Sequence, residues 1–304
     1  MTITDWRVDL ASDRAVYFPG CIEVDISEHP VAKQLHDFLS ELTHSASASE
    51  IDQFSATVGI TRYRFQRLKP SLYSLRVVPS EIPEIQDLGH RGSVVKALLD
   101  PVYNAGGLIL ISGAAGSGKS TTTASVIRER LRRFGGYCLT IEDPIEYHLD
   151  GFHGTGYCNQ IEADSTEDYV SQIRRAKRGF PARTPGLLYL GEIRDHFSAD
   201  AAAQMAVAGF LVISTIHSFN IISAIQNYLE LMDAENSSIA RYTTASCLKL
   251  VIHQRWNQRG QLVSDLLPIS DQAVGAIKNG ALHTLKDAIA AVESNIRRNM
   301  LGVA

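Results

Sequence analysis

Cysteine is scarce in this sequence: Cys21, Cys138, Cys158 and Cys247 are the only four in 304 residues, and none stands in a C-x-x-C pair. That spacing supports neither a zinc site nor a disulfide framework, and it suits the reduced thiols of a cytoplasmic protein. Long apolar runs are lacking as well. No stretch approaches the roughly 18 uninterrupted apolar residues that a membrane-spanning helix needs, so membrane association is expected to go through a partner. The first ten residues carry Asp5, Arg7 and Asp9, which is not the pattern of a secretory signal. Positive charge is not in excess: 29 Lys and Arg against 33 Asp and Glu leave a net charge of -4, so no direct nucleic-acid partner is expected. Internal repeats and low-complexity tracts are absent. The length suffices for two modest domains, each with its own core.

Against this plain background one stretch stands out. Gly107 to Ser112 is an apolar run that reads as a buried strand. It leads into Gly113-Ala114-Ala115-Gly116-Ser117-Gly118-Lys119-Ser120-Thr121, and a helical segment, Thr122 to Phe134, follows at once. Strand, G-x-x-x-x-G-K-S and helix together form the context of a phosphate-binding P-loop. The glycines let the backbone curl so that successive N–H groups face one anion, and the positive end of the helix reinforces them. In such a loop Lys119 reaches the β- and γ-phosphates, and the Ser120 hydroxyl ligates Mg²⁺. The alternative is a glycine-rich turn without a ligand.

Upstream of the loop, residues 1–80 read as a small α+β unit. Ala15 to Phe18 and Cys21 to Ile26 are expected strands around a Pro19-Gly20 turn. Val31 to Leu42 is an amphipathic helix, and Ser45 to Glu50 is a loop. Two β-rich runs, Thr61 to Arg67 and Leu72 to Val78, flank a tip containing Pro70 and read as a hairpin. On it Arg62, Arg64 and Arg76 share a face, either as the wet side of the sheet or as ligands for a phosphate. Residues 81–92, rich in Pro and Gly, read as a linker, and 93–304 as a second domain. In that domain a helix over Val94 to Tyr103 precedes the P-loop. The apolar strands Tyr137 to Ile141, Gly186 to Leu190 and Phe210 to Ile216 then alternate with helices Thr122 to Phe134, Thr166 to Arg178 and Ala199 to Ala208. This alternation predicts a mostly parallel α/β sheet covered on both faces. Ser237 to His253 and Gln272 to Asn299 read as C-terminal helices.

Polar clusters end each of those strands, where open α/β sheets bind ligands. Tyr137 to Ile141 ends in Glu142-Asp143-Pro144-Ile145-Glu146, Leu187 to Leu190 in Gly191-Glu192-Ile193-Arg194-Asp195, and Leu211 to Ile216 in His217-Ser218. Hydrolysis at a γ-phosphate needs a water held in line and positive charge over the transition state. Glu192 stands where P-loop ATPases carry the carboxylate that activates this water. Glu142 and Asp143 are candidates to orient water or Mg²⁺, and His217 to sense the γ-phosphate. Each also has a structural reading: a helix N-terminal acid for Glu192, a capped turn before Pro144, a strand-end histidine. The basic clusters Arg128 to Arg133 and Arg174 to Arg178 suit a solvated helix face and a subunit, phosphate or membrane contact about equally.

Together these motifs resemble the secretion and pilus ATPase superfamily: type IV pilus retraction ATPases and type II and type IV secretion ATPases. The resemblance covers roughly residues 61 to 255, with a weaker echo in Ala11-Ser12-Asp13. Gly113 to Thr121 is similar to the family's Walker A, Thr140 to Glu146 to its acidic box, and Gly191 to Asp195 to its atypical Walker B, where Gly takes the usual aspartate position. Gly209 to Ser218 is similar to its histidine box. The resemblance implies a P-loop NTPase (RecA-like) motor domain with a PAS-like N-terminal domain, ATP and Mg²⁺ as ligands, and a homo-hexameric ring. It implies that Arg64 and Arg76 face the nucleotide, and that Arg174 and Arg178 match arginines of the motor helix. It further implies a place at the inner membrane, docked on the platform protein of a pilus, secretion or conjugation system.

Departures from the family pattern are specific. Ala114-Ala115 stand where Pro-Thr is frequent, and Phe210 replaces the first histidine of the histidine box. Gly179 to Gly186 is a longer loop, Asn227 to Asp233 lacks the expected Arg and Pro, and no four-cysteine zinc module occurs. The chain therefore reads as a short, divergent member, from a thin-pilus or conjugation system. Two other classes compete with an ATP-driven motor. A small-molecule or nucleotide kinase would use the same P-loop but has no reason for arginines on a separate hairpin. A non-hydrolysing regulatory subunit would account for Phe210 and the altered loop.

Overall fold

The computed structural model describes residues 5–18, 20–44, 53–79, 81–163, 165–233 and 237–300. The chain divides into two compact units: Met1–Glu81 with the short stretch Pro144–His148, and Ile82–Asp143 with Leu149–Ala304.

The smaller unit is an antiparallel sheet and one helix. Its elements are β1 (Asp5–Asp9), β2 (Arg14–Phe18), β3 (Ile22–Asp25), α1 (Pro30–His44), β4 (Gln53–Val58), β5 (Thr61–Lys69) and β6 (Leu72–Val77). The strand order is β3-β2-β1-β6-β5-β4. Alternation settles which side is buried: Trp6 and Val8 of β1, Tyr63 and Phe65 of β5, and Tyr73 and Leu75 of β6 enter one core with Leu35 and Leu39 of α1. The expected hairpin is β5 and β6, with Arg64 directly opposite Arg76. Strands β1 and β4 were not legible in the sequence; β1 runs in mid-sheet, between β2 and β6. The expected Pro19 turn residue and the Ser45 to Glu50 loop lie outside the described residues.

The larger unit is a doubly wound α/β sheet. Its elements are α2 (Gly92–Leu98), β7 (Gly107–Ser112), α3 (Lys119–Phe134), β8 (Gly136–Glu142), β9 (Gly151–His153), β10 (Gly156–Glu162), α4 (Thr166–Gly179) and β11 (Gly186–Leu190). There follow α5 (His196–Val207), β12 (Leu211–Ile216), α6 (Ile221–Met232), α7 (Ser237–Cys247), β13 (Leu248–Trp256), β14 (Leu262–Pro268), α8 (Asp271–Lys278) and α9 (Leu285–Met300). The strand order is β14-β13-β7-β12-β11-β8-β10-β9. Strands β13, β7, β12, β11, β8 and β10 run parallel, and β14 and β9 add antiparallel edges. β7 and β12 are buried along their whole length, as continuous apolar runs covered by helices on both faces must be.

Three expected helices are corrected. The stretch Val94 to Tyr103 is helical only to Leu98; Pro101 cannot continue it and instead opens a 3-10 turn, Pro101–Ala105, capped by the Asp100 side chain. Ser237 to His253 is helical only to Cys247. The β-branched Val251-Ile252 and their neighbours instead form β13, which pairs with β7 and β14 and is buried from Leu250 to Gln254. Gln272 to Asn299 breaks after Lys278, where Gly280 (φ +69°) takes the left-handed conformation that ends a helix.

Candidate functional site

The P-loop glycines sit in backbone conformations that a side chain would not permit. Gly118, at φ +87° and ψ +19°, is the left-handed N-cap of α3 and supplies no side-chain acceptor. The first turn of α3 is thus left without a side-chain cap, as a helix that receives a phosphate requires. At Gly113, φ +155°, a Cβ would stand 2.4 Å from the Gln254 carbonyl oxygen and 2.5 Å from Ser117 Oγ. The chain is held in its loop by the Ser117 amide, which donates to the Ala114 carbonyl at 3.2 Å. Ala115 and Gly116 complete its tip, and Ser120 and Thr121 follow Lys119 on the first turn of α3.

Lys119 is 8% exposed and donates from Nζ to the Gly113 and Ala114 carbonyls, both at 3.0 Å. His217 Nδ1 also lies 3.5 Å from it, and His217 Nε2 lies 3.0 Å from Glu192 Oε1. The strand order explains the sequence of contacts. β12 stands between β7, which carries the P-loop, and β11, which carries Glu192. The residue just past the end of β12 therefore bridges the other two. Lysine can only donate and carboxylate can only accept, so the imidazole fits as the tautomer with its proton on Nε2. Half-exposed His217 and the 37% exposed Glu192 side chain remain accessible to a ligand.

Side chains behind this row fix its spacing. Ser214 and Thr215 of β12 donate to the Leu190 and Gly191 carbonyls at 2.6 and 2.7 Å, locking the ends of β12 and β11 together. Asn227 of α6 donates to the His217 carbonyl at 2.9 Å, and the buried Tyr169 hydroxyl of α4 donates to the Glu192 carbonyl at 3.3 Å. Arg194 pairs with Asp143 at 2.6 Å and lies over the Tyr169 ring. Glycine at 191 has a local cause. A Cβ there would stand 3.3 Å from the Glu142 Cα, closer than side chains ordinarily pack, so an aspartate would press on the end of β8.

Glu142 is 4% exposed, and its Oε1 accepts from Thr140 Oγ1 at 2.7 Å and Gln160 Nε2 at 2.9 Å. It closes the row of strand ends on the β8 side but is more enclosed than Glu192. Arg174 and Arg178 project one turn apart from the exposed face of α4, and among the described residues neither makes a hydrogen bond or ion pair. Arg64 and Arg76 belong to the smaller unit, where Arg76 pairs with Asp5 at 2.9 Å. Phe210 immediately precedes β12, at the far end of the strand from His217. There it packs on Phe180 with ring centroids 4.5 Å apart. Its replacement of a histidine therefore leaves the strand-end row untouched, which removes one ground for a non-hydrolysing subunit. Among the described residues no group of three or more His, Cys, Asp and Glu side chains forms a metal cage. A Mg²⁺ ion held mainly by phosphates and one hydroxyl requires none.

Sequence reasoning missed a second set of groups around the loop. Gln254 Nε2 donates to the Ser117 carbonyl at 2.7 Å, and the Trp256 indole N–H to the Gly116 carbonyl at 3.0 Å. His253 Nδ1 lies 3.2 Å from the Ser112 hydroxyl. On the opposite flank, buried His90 bridges Ser264 Oγ at 2.7 Å and Thr122 Oγ1 at 3.0 Å, fastening β14 to the first turn of α3. Burial lowers its pKa to about 4. Only Val251-Ile252 carried a β signal there, too short by itself to separate a strand from the end of a helix.

The chain is similar to known proteins in sequence and in fold. Residues 69–290 match the model of the family described as "Type II/IV secretion system protein". The chain is 31% identical over 239 residues to the uncharacterized protein YggR of Escherichia coli, covering 74% of this chain and 70% of that protein. It is 29% identical over 234 residues to the type IV pilus retraction ATPase PilT of Pseudomonas aeruginosa, covering 73% and 64%. Against the type IV pilus assembly ATPase PilB of Thermus thermophilus the identity is 35% over 162 residues, 51% of this chain but 17% of that one. Among solved structures, the pilus retraction motor PilT with bound ADP superposes with a TM-score of 0.74 at 25% identity, covering 94% of this chain and 84% of that one. The ATPase DotB of Legionella pneumophila has the same fold, with a TM-score of 0.71 at 20% identity, covering 97% and 84%.

Proposed function

The chain belongs to the type II/IV secretion system protein family of secretion and pilus ATPases, and from that premise we propose that it hydrolyses ATP as a ring motor. The observation that carries this reading is the contiguous row Lys119–His217–Glu192 at the carboxyl ends of β7, β12 and β11. In it a cation for the phosphates, a relay and a base for water follow one another, each within hydrogen-bonding reach of the next. Lys119 and the amides from Ala114 to Thr121 bind the phosphates. Glu192 takes a proton from the attacking water, and His217 holds that carboxylate in position while its other nitrogen faces the Lys119 ammonium. Mg²⁺, when bound through the Ser120 hydroxyl, supplies charge neutralisation at the β- and γ-phosphates. Glu142 orients water near that ion from the β8 side. Arg64, Arg76, Arg174 and Arg178 add positive charge at the nucleotide in the assembled ring, a role supported by the family resemblance.

At the larger scale the proposed assembly is a homo-hexamer on the cytoplasmic face of the inner membrane. It would act on the platform protein of a type IV or thin pilus, or of a type II or IV secretion or conjugation system. Family membership supports this. Among the described residues no helix is long and apolar enough to cross a membrane.

The test is a pair of variants. Lys119→Ala is expected to abolish detectable nucleotide binding, because the buried ammonium is the loop's own cation. Glu192→Ala is expected to retain binding within about threefold and to lower phosphate release by at least about 10²-fold, the scale of a lost acid–base group. Equal loss of binding in both variants would overturn the assignment of roles.

A further inference from the structure

Trp256 is the last residue of β13 and is 52% exposed, although the strand is buried from Leu250 to Gln254. Folding gives no reason to leave so large an apolar ring at a strand end. Its position is nonetheless fixed. The indole N–H donates to the Gly116 carbonyl of the P-loop at 3.0 Å, and the ring edge, Cζ2, lies 3.8 Å from where a Cβ on Gly118 would stand. The polar end of the ring is satisfied by the loop itself, and the apolar face is left to solvent beside it.

The order of strands says which end of a nucleotide would meet that face. β12 and β11, with His217 and Glu192, lie on one side of β7, and β13 lies on the other. A triphosphate in the loop presents its hydrolysable end to Glu192. Its other end, with ribose and base, leaves on the flank of β13. We propose that Trp256 is the platform on which the nucleobase of the bound nucleotide stacks, with its indole N–H holding the ring in register with the phosphates. The proposal rests on the phosphate-site reading above and extends it to the base. Every nucleobase has a π-face, so such a platform adds affinity without reading Watson–Crick edges. A ring already fixed by the Gly116 carbonyl loses little freedom when the base arrives, which favours a measurable gain.

The experiment compares ADP with inorganic tripolyphosphate, which fills the loop but has no base, on the 304-residue chain. Trp256→Ala is expected to weaken Mg²⁺-ADP binding about tenfold, the scale of one lost base stack, while tripolyphosphate affinity stays within about twofold. Trp256→Phe, which keeps a stacking face, is expected to recover most of the ADP affinity. Intrinsic fluorescence gives a second readout, since the only other tryptophan is Trp6, buried in the smaller unit. Quenching by ADP should occur in the wild type and vanish in Trp256→Phe. Equal weakening of ADP and tripolyphosphate would reduce Trp256 to a prop for the loop and overturn the proposal, as would unchanged ADP affinity in Trp256→Ala. A wild-type chain that binds neither ligand would sink the phosphate site itself, and the platform with it.

Discussion

His217 is held between a donor and an acceptor, and this explains how a lone histidine at a strand end can matter to chemistry. Its Nδ1 faces Lys119 at 3.5 Å and its Nε2 faces Glu192 at 3.0 Å, so in the proposed mechanism it would couple the loop's cation to the carboxylate that activates water. Removing the ring leaves both groups in place but frees the Glu192 side chain to take other rotamers. His217→Ala is therefore expected to lower ATP turnover on the order of 10²-fold, with nucleotide affinity changed less than about threefold. Steady-state phosphate release alongside equilibrium binding measures both. Unchanged turnover would remove His217 from the site. The same contacts show why this part of the site was legible in the sequence. Lys119 closes the loop that leaves β7, Glu192 and His217 follow β11 and β12 within two residues, and parallel strands of one sheet deliver their carboxyl ends to a common edge.

Elements that join the site from a distance were not legible in that way. β13 follows α7 without a break, and its residues 248 to 253 extend an apolar pattern that a helix could also carry, so the sequence reads as one long helix. Only pairing with β7 on one side and β14 on the other decides for a strand, and that pairing is non-local. With β13 misread, Gln254 and Trp256 had no route to the P-loop. His90 was hidden for a different reason: its partners Thr122 and Ser264 are 32 and 174 residues away. Its burial has a measurable consequence. A folded-state pKa of about 4 against about 6.5 in an unfolded chain means that the unfolded state takes up the proton first. His90 is neutral in both states above pH 6.5 and contributes no pH dependence there. As pH falls from about 6.5 to about 4 it draws the equilibrium toward unfolding, by up to about 3 kcal/mol, and the effect levels off below. Urea midpoints measured from pH 8 to pH 4.5 should drop more steeply for the wild type than for His90→Gln, which cannot titrate. Parallel curves for the two proteins would show that the buried ring has access to solvent protons in the native state.

At the scale of the whole molecule, two units with separate cores carry residues that the proposed function needs together. Phe65 and Tyr63 of β5 are packed in the core of the smaller unit, while Arg64 between them points to the other face of the sheet. Arg64 is consequently a site where charge can be removed without opening a core. Arg76 is tied to Asp5, so its loss also leaves a carboxylate without its partner. If the family's ring is the working form, Arg64 supplies positive charge to phosphates held by Lys119. Arg64→Ala should then lower turnover by at least about tenfold in a chain that circular dichroism shows to be folded. The companion measurement is mass in solution with Mg²⁺ and nucleotide: six copies of the 33.3 kDa chain, about 200 kDa, are expected. The two results constrain each other. A hexamer in which Arg64→Ala keeps full activity would leave the ring standing but take the hairpin out of its chemistry. A chain that releases phosphate at full rate as a monomer, with Arg64 dispensable, would remove the ring motor altogether and return the P-loop to a single-chain enzyme such as a kinase.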